Sequence, residues 1–167
     1  SGAALDTQLT LEVVTETIRR YQQLGYQVVM VHGGGPAINN ELRKRGIRGT
    51  FVGGQRVTSH AMIEVIESTL SGQVNKRLVR HFGSQNLTVV GSSGADHKTL
   101  LCSQASAELG LVGKIDRVNS EWIEDLMSVR QNLVPVIAPV GVGLRGECSK
   151  INADWAATHL AVALAAD

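Results

Sequence analysis

Val28-Val29-Met30-Val31-His32-Gly33-Gly34-Gly35-Pro36 is the stretch on which the reading of this chain turns. Four apolar residues, three of them β-branched, make a strand suited to burial on both faces, as in a parallel sheet. The strand runs into three consecutive glycines. Pro36 then falls at the first position of a helix, where its missing N–H leaves nothing unpaired that the helix would have used. Glycines at such a junction let the backbone come close to a ligand. Their N–H groups sit at the positive end of the coming helix, so the guest they suit is an anion. A tight turn needs one glycine; three point to a cradle.

On the N-terminal side, Ser1-Gly2-Ala3-Ala4-Leu5 reads as the exit from a strand lying upstream. Thr10 is expected to cap a helix whose apolar stripe is Leu11, Val14, Ile18 and Tyr21, with Leu9 and Val14 as a hydrophobic staple and Gly25 as the stop. On the C-terminal side, a helix from Pro36 to Arg45 ends at Gly46. The glycine-rich residues 47–57 suit a hairpin or short strands folding over the cradle. Thr58 is placed to cap the longest helix, in which Met62, Ile66, Leu70, Val74, Leu78 and Phe82 recur at intervals of four. Gly72 in its middle costs about 1 kcal/mol against alanine, which predicts a bend or a close helix–helix approach there.

Leu87–Val90 reads as a strand ending in Gly91-Ser92-Ser93-Gly94-Ala95-Asp96. Leu100–Ser103 and Leu111–Val118 are expected to pair as β structure. Asn119 or Ser120 caps a helix carrying Trp122, Ile123, Leu126 and Met127. Val134–Ala138 is a further buried strand, Gly141–Ser149 a loose loop, and Asp154 opens a helix running to about Ala166. This alternation predicts an α/β fold, a three-layer αβα sandwich with a mainly parallel central sheet. Ligands of such sheets lie at the carboxyl ends of the strands, where the glycine loops and Asp154 fall. The chain starts without methionine and stops in a helix where a strand should follow, so it is expected to be one piece of a longer protein.

The 167 residues are 43% apolar and 19% charged with a net charge of +1, which fits one globular domain with a real core. So even a balance gives no electrostatic case for nucleic acid or for an anionic membrane. No apolar run reaches the length of a membrane span, and nothing at the N-terminus looks like a signal peptide. Cys102 and Cys148 show neither metal spacing nor a disulfide framework, and the five histidines lack zinc-site spacing, all of which suits a reducing cytoplasm.

The cradle is not a P-loop, since no G-x-x-x-x-G-K-[ST] occurs, nor a dinucleotide fingerprint, since no G-x-G-x-x-G follows the strand. His32-Gly33-Gly34-Gly35 is similar to the oxyanion loop of lipase-like hydrolases. Their nucleophile elbow has only a near miss here, at Gly91-Ser92-Ser93-Gly94-Ala95, and Asp154 and His159 lie too close on one helix to serve as separate triad members. Arg56 reads equally as a surface arginine or as a carboxylate clamp in a flap above the cradle. Spacing alone favours Asn152-Ala153-Asp154 as a helix cap over a site facing the cradle. Asn75-Lys76 reads as a solvated helix face, and Trp122 and Trp155 as packing.

Taken in order, Val31–Pro36, Arg56-Val57-Thr58, Val74-Asn75-Lys76, Gly91–Asp96, Leu111–Ile115, Pro135–Gly141 and Ile151–Asp154 resemble the amino-acid kinase family, and within it the branch acting on N-acetyl-L-glutamate. The resemblance implies that residues 1–167 form the N-terminal, acyl-substrate-binding part, with the nucleotide-binding part absent from this chain. It implies ATP-dependent phosphorylation of a side-chain carboxylate to an acyl phosphate in arginine biosynthesis, with Mg2+ brought by the nucleotide. Amides of Gly34, Gly35 and Gly2 would hold the transferring phosphoryl group and the attacking carboxylate, Gly2 and Gly34 serving the nucleotide phosphates. Arg56 would take the α-carboxylate and Asn152 would help to fix the substrate. Asp154 would orient catalytic lysines that lie outside this chain. Lys150, also expected to bind substrate, departs from the family, which usually has an asparagine there; lysine still attracts a carboxylate, as a mobile point charge. That departure leaves open a kinase for an aminoadipate derivative, and a degenerate amino-acid-binding regulatory domain is the other alternative. A homodimer or higher homo-oligomer built through the Met62–Phe82 helix is also implied.

Overall fold

The structure, a computed structural model, describes residues 7–166. Its centre is a three-stranded parallel sheet in the order β1 (Met30–Val31), β7 (Leu133–Ala138), β4 (Thr88–Ser93). β7 lies in the middle and is buried from Val134 onward. Its side chains alternate between the two faces, as a period of two requires. Val134 and Val136 pack with Leu11 and Ile18 of α1 (Gln8–Gln23) and with Leu78 and Phe82 of α4 (Asn75–Ser84). Ile137 packs on the opposite side with Ile123 and Met127 of α5 (Glu121–Val129) and Leu160 of α6 (Ala153–Ala163). Helices on both faces of a parallel sheet make the expected three layers.

Pro139 has no N–H to continue the ladder, and the chain leaves the central sheet there. It enters a second, mostly antiparallel sheet in the order β6 (Gly113–Val118), β5 (Leu100–Gln104), β8 (Val140–Val142), β9 (Cys148–Lys150). The pairing of β5 with β6 is as expected. The loose loop expected over Gly141–Ser149 is instead a hairpin, with Gly141 opposite Ser149 and Val142 opposite Cys148. Too few apolar residues alternate there to announce it, but β5 offers a neighbouring edge. α2 (Gly35–Lys44) follows the cradle, and β2 (Phe51–Val52) and β3 (Gln55–Arg56) form the small hairpin expected over residues 47–57.

Two helix starts and one stripe differ from expectation. Thr7, not Thr10, caps α1, its hydroxyl accepting from the Thr10 amide at 3.3 Å. That shift leaves Leu9 exposed in the first turn, so the expected staple does not form. Tyr21 lies half in solvent against the edge of Tyr26. Ser59, not Thr58, precedes α3 (His60–Glu67). Thr58 is wholly buried because its backbone bridges to the 109–111 segment, donating to Leu109 O at 3.0 Å and accepting from Leu111 N at 2.7 Å. Gly110 sits in that bridge at φ +66°, with the Thr58 carbonyl filling the place of a Cβ.

α3 runs into α4 through a π-wound segment, Ser68–Val74. Apolar residues spaced by four would drift about 40° per step round a helix of 3.6 residues per turn. A wider π turn absorbs that drift and keeps Met62, Ile66, Leu70, Val74, Leu78 and Phe82 facing inward, all of them buried. Gly72 lies in the wide segment with open space beside it, so no close helix approach occurs there. The strand at Gly91–Ala95 continues straight through Ser93 and has no nucleophile elbow. Ser93 instead donates its amide and hydroxyl to Asp96, at 2.7 and 3.0 Å.

Candidate active site

The cradle joins the carboxyl end of β1 to the N-terminus of α2. Gly34 is the N-cap residue, and its carbonyl accepts the first helical bond from Ile38 N at 2.9 Å. Among the described residues, the amides of Gly33, Gly34 and Gly35 donate to no protein acceptor. Free N–H groups at a helix start form an anion site, because their partial charges and the helix dipole add. Gly34 must also be small. A Cβ there would lie 2.6 Å from Leu70 Cδ2, on the π-wound segment.

The amides open on a cavity of about 460 Å3 at the carboxyl end of the sheet. Its walls bring Gly33, Gly34 and Gly35 together with Arg56, Lys150, Asn152 and Asp154. Six of the seven residues proposed from sequence therefore meet in one space. Gly2 lies outside the described residues.

Arg56 comes from the hairpin flap and is 6% exposed. Its guanidinium lies 4.6 Å above the Phe51 ring and donates to Asn39 Oδ1 on α2. A Cβ at Gly49 would meet the guanidinium, so any larger residue there would have to displace Arg56. The surface-arginine reading is thereby set aside. Burial pushes the pKa of Arg56 down. Lys150, on β9, has its pKa lowered first by burial and then by the charge of Arg56. Neither cation has a carboxylate partner among the described residues. Two desolvated cations without counter-charge repel each other, and an anionic guest relieves both.

Asn152 is the cap of α6, its Oδ1 accepting from the amides of Asp154 at 2.8 Å and Trp155 at 3.2 Å. The cap commits the oxygen and leaves the side-chain NH2 without a protein acceptor among the described residues, fixed in orientation and able to donate. Asp154 is not the capping side chain. Its carboxylate is exposed in the first turn and accepts no hydrogen bond from a described residue. No group of three His, Cys, Asp or Glu side chains among the described residues could hold a metal ion, and no described helix is long and apolar enough to cross a membrane.

The family model described as "Amino acid kinase family" matches residues 1–167. The chain belongs to the amino acid kinase family. Among curated relatives it is 40% identical over 166 residues to an acetylglutamate kinase of Ruegeria pomeroyi, covering 99% of this chain and 57% of that protein. It is 46% identical over 146 residues to an acetylglutamate kinase of a Jannaschia species, covering 87% and 50%. The chain thus spans about half the length of the curated relatives it matches. Among solved structures, smu.665 of Streptococcus mutans UA159 superposes with a TM-score of 0.83 at 29% identity, covering 92% of this chain and 62% of that one. An N-acetylglutamate synthase of Neisseria gonorrhoeae superposes with a TM-score of 0.75 at 20% identity, covering 96% and 37%; that likeness concerns the fold alone.

Within this amino acid kinase domain, several residues escaped the sequence reading. Asn39 holds the Arg56 guanidinium, but no spacing links positions 39 and 56. Asn75, read as part of a solvated face, is wholly buried. No spacing in the sequence announces it; its burial follows from the packing of His32, Ser92 and Val136 around it. Lys76 donates to Gly91 O at 2.9 Å. Trp122 is packing, as expected, with its indole N–H donating to Thr99 Oγ1 at 2.7 Å.

Proposed function

We propose that the complete protein uses ATP to phosphorylate the side-chain carboxylate of N-acetyl-L-glutamate, forming an acyl phosphate in arginine biosynthesis, and that this chain is its acyl-substrate-binding part. The observation that carries this reading is one cavity joining three free amides to two unneutralised cations. One end suits phosphoryl oxygens, and the other suits a carboxylate held at a distance from the reacting one.

In the reaction, the substrate's side-chain carboxylate oxygen attacks the γ-phosphorus, and the bond to the ADP oxygen breaks as ADP leaves. A carboxylate is ionised at neutral pH, so no general base is needed. The protein's work is to bring two anions into line. Amides of Gly34 and Gly35 hold the oxygens where charge gathers, and fixed donors of this kind contribute about 2.7–4 kcal/mol each. Arg56 and Lys150 hold the α-carboxylate, and the free NH2 of Asn152 adds a neutral donor. Mg2+ brought with the nucleotide would offset the charge of its phosphates. A nucleotide-binding part outside this chain, a cytoplasmic location and a homo-oligomer through the Met62–Phe82 run belong to the same proposal.

The acyl group follows from the electrostatics. Free glutamate carries an ammonium that would face Arg56 and Lys150, whereas acylation removes that charge. Calorimetry of the complete protein with N-acetyl-L-glutamate, glutamate and an N-acyl aminoadipate tests this. Tightest binding of N-acetyl-L-glutamate is expected. Glutamate binding as tightly would remove the two-cation argument, and a tighter aminoadipate derivative would reassign the substrate.

Asp154 stands near the reacting groups with a free carboxylate, placed to orient cationic side chains. Asp154→Asn is expected to lower kcat about tenfold or more and leave KM for the acyl-amino acid nearly unchanged. A near-normal kcat would restrict Asp154 to its place at the helix end.

A further inference from the structure

Asn75 and His32 are buried side by side behind the cradle, and the reaction as described uses neither. The Asn75 side-chain nitrogen lies 2.8 Å from Val136 O, 3.2 Å from Ser92 O and 3.2 Å from His32 Nε2. Backbone carbonyls only accept, so the NH2 end of the amide must face this group. Lys76 Nζ, 3.1 Å from Asn75 Oδ1, holds the same orientation from the other end. The amide's two hydrogens are shared among Val136 O, Ser92 O and His32 Nε2, and the Gly33 carbonyl beside Nδ1 can only accept, which leaves the lone pair on Nε2. The proton of the neutral His32 ring is therefore on Nδ1, which lies 2.9 Å from Gly33 O and donates to it.

The consequence lies in the peptide plane. In a trans peptide the C=O and the following N–H point in opposite directions. Holding Gly33 O towards His32 turns the Gly34 N–H the other way, and Gly34 lines the cavity while His32 does not. We propose that His32 is a positioning residue: Asn75 fixes its tautomer, and its Nδ1–H pins the Gly33 carbonyl so that the Gly34 amide is aimed into the cavity. The kinase reading says what that amide grips; the aiming itself rests on the hydrogen bonds alone. Burial, the largest influence, and the charge of Arg77 lower the pKa of His32, while the bond to Gly33 raises it, which leaves the ring neutral at physiological pH.

The test uses the complete protein labelled with 15N-histidine. Long-range 1H–15N correlation of the ring should show neutral His32 with its proton on Nδ1. An Nε2–H tautomer or a charged ring at neutral pH overturns the proposal. In assays, His32→Leu is expected to lower kcat about 10- to 100-fold, less than or equal to the loss of a whole donor, with KM for the acyl-amino acid within about threefold. His32→Asn, whose side-chain NH2 can replace the Nδ1–H, should recover part of that loss. Equal losses in the two variants, or an effect on KM alone, overturn the positioning role. Should a variant fail to fold, the tautomer in the unsubstituted protein decides. An Nδ1–H tautomer in a protein that does not phosphorylate N-acetyl-L-glutamate supports the aiming device and rejects only the substrate.

Discussion

Arg56→Ala in the complete protein is expected to raise KM for the acyl-amino acid about 100-fold while leaving KM for ATP within a few-fold. Arg56 is buried, held by Asn39 and by the Phe51 ring, and faces the cavity without an ion-pair partner among the described residues. Removing one partner of a buried charged pair costs about 2–5 kcal/mol, and each 1.4 kcal/mol is tenfold in affinity. Lys150 stays and keeps part of the attraction, which sets the effect in the lower half of that range, about 2.8 kcal/mol. Arg56→Lys should fall between the two, since the charge remains but the planar fork is lost. A melting curve separates this from damage to the hairpin. An acyl-substrate KM unchanged in a folded Arg56→Ala protein would take Arg56 out of the site.

Gly34→Ala is the second large effect, with an expected fall in kcat of about 100-fold. The new Cβ would sit 2.6 Å from Leu70 Cδ2. Leu70 is 2% exposed and packed among Ile38, Leu42, Met62 and Ile66, so it has little room to yield. Overpacking of this kind costs about 1–3 kcal/mol, and the cheaper response is for the loop to move. Displacing a reacting or positioning group by roughly 1 Å can cost about 100-fold in rate. Shortening the obstructing side chain with Leu70→Val in the same protein should return part of the lost kcat. A Gly34→Ala protein within about threefold of the parent rate would show that this amide does not grip the transferring group.

The cradle and the parallel sheet were legible because their signals are local, but the strand leading into the cradle is only Met30–Val31, half-buried at the edge of the described sheet and not covered on both faces. A β-branched run, three glycines and a proline specify strand, turn and helix within nine residues, and no distant contact is needed to read them. Arg56 and Lys150 were legible only as residue types in a known order. The burial of Arg56, the half-burial of Lys150 and the repulsion between them depend on a hairpin and a strand that meet in space. The second hairpin, Val140–Val142 with Cys148–Lys150, was misread because its pairing follows from the neighbouring edge of β5 rather than from any pattern of its own. Helix starts shifted for a similar reason: Thr58 lost its capping role to a backbone bridge with the 109–111 segment.

The order of strands and helices and the anion-binding loop were thus settled by the chain's own periodicity, because hydrogen bonding and burial along a few residues leave few alternatives. Which polar groups lose their water was settled by packing. Asn75 became a buried node and Asn39 an anchor for Arg56 because residues far apart in sequence close the same space. Desolvation is a property of what surrounds a group, and no stretch of sequence contains its own surroundings.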